Sequence, residues 1–228
     1  MKRITGILSV FFLSVYTYAQ TPVRFYENGK VGYRNSEGII IAAAKYEAGS
    51  EFQEGLAIIM LENKRGYLDT KGEVAIPIQF DDASLFIRGM ARVSVNGRYG
   101  FIDYNGTWLI HPVLEQAADF SEGLSLVKIN GLWGFLDEAG QIAVSCIFSS
   151  ARSFSNDLAC VEMNGKWGYI DKKGNIVIPC AYDMACDFSN EEAWVVKKEE
   201  TFIINRKNKK LREVESREEE EKRESRKK

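Results

Sequence analysis

A period of 34 residues runs through this chain with no insertion or deletion. Glycines stand at Gly32, Gly66, Gly100, Gly134 and Gly168, and a second set at Gly38, Gly72, Gly106, Gly140 and Gly174. Phenylalanines keep the same step at Phe52, Phe86, Phe120, Phe154 and Phe188. A fixed step over five copies identifies a repeat architecture, in which each unit buries its apolar face only by packing on the next.

Within a unit the pattern reads strand, turn, strand, turn, strand, connector. Ala91-Arg92-Val93-Ser94-Val95 alternates with the period of a half-buried strand, and Val93, Val127, Val161 and Val195 fall in one inward row. Asn-Gly follows at 28–29, 96–97, 130–131 and 164–165, the strongest short hairpin signal because both turn residues take positive φ. The second copy has Glu62-Asn63 there, which weakens the turn. Strand two, as in Trp167-Gly168-Tyr169-Ile170, contains a glycine, which implies a close backbone approach or a ring lying over it. It ends in Asp-x-x-Gly from Asp69, Asp103, Asp137 and Asp171, with Asn35 in the first copy, the pattern of a type I turn with a glycine bulge. Strand three follows, and Pro77, Pro112 and Pro179 are expected at its ends. The connector then leads from Tyr46, Phe80, Phe148 or Tyr182 to the downstream Phe, which is expected to plug the gap between units.

The fold class is therefore all-β: tandem antiparallel β-meanders in an open β-repeat stack, with a propeller-like ring as the alternative. Residues 22–205 form the repeat domain, five units plus a terminal hairpin. Both ends carry strands one and two, and the last hairpin has Phe202 where the sixth glycine would stand, as a degenerate cap of an open stack does.

The flanks differ in composition. Lys2 and Arg3 precede an apolar run from Ile7 to Val15, too short to span a bilayer, and Thr17-Tyr18-Ala19 offers a cleavage site. Residues 1–19 thus read as a signal peptide, with an exported chain that is periplasmic, surface-bound or secreted and has no transmembrane anchor. Residues 206–228 hold 11 Lys/Arg and 7 Asp/Glu and read as a disordered or helical charged tail. The repeat body is net acidic, which argues against nucleic acid as a partner.

The side chains that carry chemistry are few. Cys146, Cys160, Cys180 and Cys186 allow three pairings, but small buried apolar residues are the favoured reading. The Asp row has a turn role in each copy, which outweighs a calcium ladder. His111 is the single histidine and sits beside Pro112 with no nucleophile elbow, so catalysis is not expected. No phosphate-binding or dinucleotide loop appears, and no cofactor or metal site is expected. Trp133 and Trp167, with Gly134 and Gly168, occupy core-forming repeat positions and read as structural. Trp108 and Trp194 lie outside that position and are the candidate surface-binding residues.

Asn-Gly-Lys-Trp-Gly-Tyr-Ile-Asp-x-x-Gly at 164–174, Glu-Gly-Leu-Ser-Leu-Val at 122–127 and Ile-Val-Ile-Pro at 176–179 resemble the WG-repeat family of bacterial proteins. Only Trp133 and Trp167 supply the Trp; Val31, Arg65 and Tyr99 stand elsewhere. The resemblance implies a β-rich repeat, often exported or surface-associated, with no common activity. The expected role is a non-enzymatic scaffold that binds protein or another component of the cell envelope. A carbohydrate or cell-wall binding module is the alternative.

Overall fold

The structure, a computed structural model, describes residues 21–214. The expected signal peptide and the end of the charged tail lie outside them. The described chain forms 23 strands in six small antiparallel sheets and no helix. Sheet 1 holds β1 (Val23–Glu27), β2 (Lys30–Arg34) and β3 (Ile40–Tyr46). Sheet 2 holds β4 (Ala48–Gly49), β5 (Leu56–Leu61), β6 (Lys64–Asp69) and β7 (Val74–Phe80). Sheet 3 repeats this with β8 (Asp82–Ala83), β9 (Ala91–Val95), β10 (Arg98–Ile102) and β11 (Trp108–Leu114). Sheet 4 is β12 (Gln116–Ala117), β13 (Leu124–Ile129), β14 (Leu132–Asp137) and β15 (Ile142–Phe148). Sheet 5 is β16 (Ser150–Ala151), β17 (Ala159–Met163), β18 (Lys166–Ile170) and β19 (Ile176–Tyr182). Sheet 6 is β20 (Met184–Ala185), β21 (Glu192–Lys197), β22 (Glu200–Asn205) and β23 (Lys210–Glu213).

The local chemistry expected from the sequence produces these sheets. Asn164 and Gly165 take φ of 54° and 73°, the left-handed pair that a two-residue hairpin needs. Glu62-Asn63 and Lys198-Glu199 adopt the same turn without glycine. Asp171 Oδ1 accepts from the Lys173 and Asn175 amides at 2.9 Å each, and Asp69, Asp103 and Asp137 do the same in their turns. Opposite the strand-two glycine, strand three bulges: Trp167 pairs with Tyr182 but Tyr169 with Ile178. The bulge presses backbone onto the glycine. A Cβ on Gly168 would stand 2.6 Å from the Ile178 carbonyl oxygen and 2.7 Å from the Cys180 nitrogen. The close approach is thus to backbone, which explains the glycine at that place in sheets 1 to 5; sheet 6, where Phe202 stands there, has a shorter fourth strand.

Three expectations are corrected. Pro77, Pro112 and Pro179 lie inside strand three, not at its ends, because strand three runs seven residues and takes in the aromatic that follows. It is an edge strand with a bulge, where a missing N–H costs no ladder bond. The connector is not wholly irregular: its first residues form a two-residue strand that pairs with strand one of the next unit, as Ser150 with Glu162. The charged tail does not begin at residue 206. Asn205 Oδ1 accepts from the Lys207 and Lys209 amides, Asn208 takes φ of 60°, and β23 completes sheet 6. The two ends therefore differ: sheet 1 has three strands and sheet 6 has four.

Burial organises the sheets in sequence. Val31, Tyr33 and Tyr46 pack with Ile59 and Leu68 between sheets 1 and 2. Tyr67, Ile76 and Phe80 pack with Val93 and Ile102 between sheets 2 and 3. Phe101 and Leu114 meet Val127 and Leu136 between sheets 3 and 4. Phe135 and Phe148 meet Val161 and Ile170 in the next gap, and Tyr169 and Ile178 meet Val195 and Ile204 in the last. The Phe row lies at these junctions, with Phe86 on Tyr67 at 4.9 Å and Phe154 on Phe135 at 4.7 Å between ring centroids. These are five cores for six sheets. No hydrogen bond, ion pair or core cluster among the described residues joins sheet 6 to sheet 1. The array is open.

Candidate functional site

Strand three forms one edge of each sheet, and its first residue is set by the repeat. That position is Ile40, Val74, Trp108, Ile142 and Ile176 in sheets 1 to 5. Ile40, Val74, Ile142 and Ile176 are 59%, 46%, 58% and 54% exposed. Leu109 and Val177, one residue on, are also exposed, as are Val113 and Ile147 further along the same strands. An apolar row of this kind, one residue per sheet at constant register, is an exposed hydrophobic surface of the sort that marks a contact site.

Trp108 occupies the middle of this row. It is half-buried, standing edge-to-face on Phe80 at 6.0 Å with His111 stacked 6.1 Å away. Trp194 is half-buried on strand one of sheet 6, opposite Ile203, and shares no surface position with Trp108. The repeat places Trp194 in line with Arg24, Ile58, Arg92, Leu126 and Cys160. Trp133 and Trp167 are half-buried against the cores of sheets 4/5 and 5/6, with Lys128 over one ring at 5.5 Å and Arg152 over the other at 5.8 Å. Gly134 and Gly168 are buried beneath the strand-three bulge.

A second periodic feature escaped the sequence reading. The Phe-x-x-Gly turns of successive units touch one another. Gln53 Nε2 donates to the Phe86 carbonyl at 2.7 Å, Ser121 Oγ to that of Phe154 at 2.8 Å and Asn156 Nδ2 to that of Phe188 at 2.9 Å. The Glu54 carboxylate accepts from the Arg88 and Gly89 amides, and Glu122 accepts from Asp157. The residue after the turn Asp, or after Asn205 in the last unit, then reaches back: Tyr104 to Glu54, Lys172 to both Glu122 and Asp157, Arg206 to Glu191. The Tyr104 hydroxyl and the Gly89 amide hold the Glu54 carboxyl below its ordinary value, and the Lys172 ammonium does the same for Asp157. The sequence signal was complementary side chains spaced at 50 and 15 residues, such as Tyr104 with Glu54 and Lys172 with Asp157.

These groups are spent on one another. The Asp69, Asp103, Asp137 and Asp171 carboxylates are spent on turn amides. All four cysteines are free, and burial pushes the Cys160 thiol up to about 12, as suits a small apolar core residue. Among the described residues no three His, Cys, Asp or Glu gather to hold a metal ion, and no helix is long and apolar enough to cross a membrane.

Comparison with known proteins agrees with this architecture. No curated protein matches the chain in sequence. Among solved structures, a eukaryotic initiation factor superposes with a TM-score of 0.51 at 10% identity, covering 86% of this chain and 63% of that one. The chain thus spans less than two thirds of that structure, and the likeness is one of propeller-like architecture alone. Hsv2p of Kluyveromyces lactis gives a TM-score of 0.48 at 10% identity, covering 86% and 75%. A family model described as WG containing repeat matches residues 32–64, 66–99, 99–133, 133–167 and 167–200. With five tandem matches over most of its length, the chain belongs to the family of WG-repeat proteins.

Proposed function

We propose that this protein is an exported, non-enzymatic repeat scaffold that holds a protein partner at the cell envelope. The observation that carries the reading is the exposed apolar row of Ile40, Val74, Ile142 and Ile176, with Trp108 at its centre. An open array presents such a row as one extended surface, which suits a large partner that contacts several units at once. Each contact is small, and their sum along the row gives affinity. Export is supported by the basic start, the short apolar run and the small residues before Gln20.

The test is the variant Ile142→Glu/Ile176→Glu. Both side chains are exposed, so its melting curve should match that of the parent. Chemical cross-linking in native envelope should give a defined adduct with the parent and none with the variant. An adduct retained at full yield by a folded variant would move the interaction off this row. N-terminal sequencing of the protein from its host should begin at Gln20.

A further inference from the structure

A crevice of about 480 Å³ opens between sheets 3 and 4. Its walls are Tyr99 and Trp133, which hold the same position in successive repeats. Leu126 lies within it, and Glu115 and Gln116 line its side. The repeat explains why it opens here. At the junction of sheets 2 and 3 the corresponding positions are Arg65, Asp82 and Arg92. There Arg92 Nη1 meets Asp82 Oδ2 at 3.1 Å, Arg65 Nη1 stands 3.5 Å from Asp82 Oδ1, and Arg65 also donates to the Asp81 carbonyl. Two long side chains and their carboxylate thus bridge the gap. One repeat later the same three places are Tyr99, Gln116 and Leu126, with no charge and no bridge. The side chains that filled the junction are gone, and two aromatic rings border the space.

The lining has two characters. Tyr99, Trp133 and Leu126 supply apolar contact, and the face of an aromatic ring is electron-rich. Glu115 and Gln116 supply acceptors and donors at the side. Glu115 accepts from the Gly131 amide at 3.1 Å, which orients the carboxylate and leaves further lone pairs for a ligand. Lys128 stands over the Trp133 ring at 5.5 Å and Arg92 over Tyr99 at 5.1 Å, so each ring is already held on one side. A ligand that matches must present C–H groups to the rings and hydroxyls to an amide and a carboxylate. A pyranose ring does both. The volume lies in the range of roughly 300–1,000 Å³ that small-ligand clefts have. The Glu115 carboxylate disfavours an acidic sugar.

We infer that the crevice walled by Tyr99 and Trp133 binds a pyranose ring of a neutral oligosaccharide. The inference does not depend on a protein partner for the apolar row, which lies on strand three. It uses none of the residues of that row.

The test follows from the repeat itself. The double variant Leu126→Arg/Gln116→Asp writes the charged pair of sheet 3 into sheet 4 and closes the crevice with side chains the fold already accommodates at that register. The parent is titrated with chitotetraose, cellotetraose, maltotetraose and tetragalacturonate by isothermal calorimetry, with tryptophan fluorescence as a second signal. At least one neutral tetrasaccharide should bind saturably, and tetragalacturonate more weakly. Tyr99→Ala should weaken that binding about tenfold, equivalent to about 1.4 kcal/mol. The closed variant should abolish binding while it stays folded, with a lower melting point because Leu126 also packs in the core between sheets 4 and 5. Should that variant not fold, Gln116→Ala, at an exposed position, gives the same reading through lost affinity. No saturable binding of any neutral probe by the parent overturns the inference. Binding that survives closure of the crevice, or that is lost in Trp108→Ala and kept in Tyr99→Ala, overturns it as well.

Discussion

The Tyr104 hydroxyl donates to Glu54 Oε2 at 2.6 Å, across 50 residues of chain. Glu54 also accepts from the Arg88 and Gly89 amides at 2.9 and 3.0 Å, and the Tyr104 ring stacks on Phe86 at 5.0 Å. One carboxylate thereby ties the Phe-x-x-Gly turns of two successive units to the Asp-x-x-Gly turn of the second. The bond lowers the Glu54 carboxyl from its ordinary 4.5, as the turn amides and side chains lower Asp103 and Asp171 from 3.8. A carboxyl with a depressed folded pKa stabilises fully above its unfolded value and loses that contribution as pH falls through the folded one. The melting temperature should therefore be flat from about pH 7 to pH 5 and fall below about pH 4. Tyr104→Phe should make the acid limb shallower. Melting curves across this range check both points, and an unchanged acid limb would remove Glu54 from the account.

The strand-two glycine has a sharper test. In Gly168→Ala the new methyl meets backbone of Ile178 and Cys180, which cannot swing away. Overpacking of this kind costs about 1–3 kcal/mol. Gly131→Ala meets no atom within 4 Å but must hold φ near +78°, so its cost is the left-handed strain alone, about 1–2 kcal/mol. Urea denaturation should rank Gly168→Ala as the less stable of the two.

Phe154 is buried between sheets 4 and 5, against Phe135. Its truncation to Ala should cost about 3–5 kcal/mol. Phe120, at the same place one unit earlier, is only half-buried and should cost less. Equal losses would show that the junction cores do not act separately.

Removal of residues 206–228 should lower the melting temperature, contrary to what the tail's composition suggests. The deletion strips β23 from Phe202, Ile203 and Ile204, takes Lys210 from above the Phe202 ring and leaves the Tyr182 hydroxyl without Asn208. Circular dichroism of the truncated protein reads the loss directly.

Deletion of one whole period, Asn96 through Ile129, joins Val95 to Asn130 in register. Because each sheet packs only on its neighbours, the product should remain a cooperatively melting monomer with one core fewer. Light scattering and thermal melts decide this, and an aggregated product would mean that the array depends on its total number of units.

The sequence made the turns legible because their chemistry is local: Asn164-Gly165 and Asp171 act on residues within reach of their own backbone. The two-residue strands were not legible as strands, since two residues have no period. Their signal was a constant small residue, at Gly49, Ala83, Ala117, Ala151 and Ala185. For Gly49 the reason is Tyr33, whose hydroxyl would lie 2.2 Å from an added Cβ. Strand β23 was hidden by composition, although a step of 34 from Asp171 lands on Asn205 and repeats the turn. Trp108 was singled out by identity, whereas its meaning lies in position: the row it shares with Ile40 and Ile142 is apolar whichever residue fills it. The Tyr104–Glu54 bond was beyond local reading because neither partner is near the other in the chain.

The prolines of strand three decide where a second molecule can add a strand. β7, β11 and β19 each carry one, and a proline offers an incoming strand no N–H. The edge of β23 is almost wholly charged. Among the strand-three edges that leaves β3 and β15, both largely apolar and free of proline, three units apart. Copies that joined through these strand-three edges would meet in one of two alignments, fully overlapped or displaced by half the array. A fibre built through strand three would accordingly carry its stagger in whole units, set by the two strand-three edges that lack both a proline and a charged face.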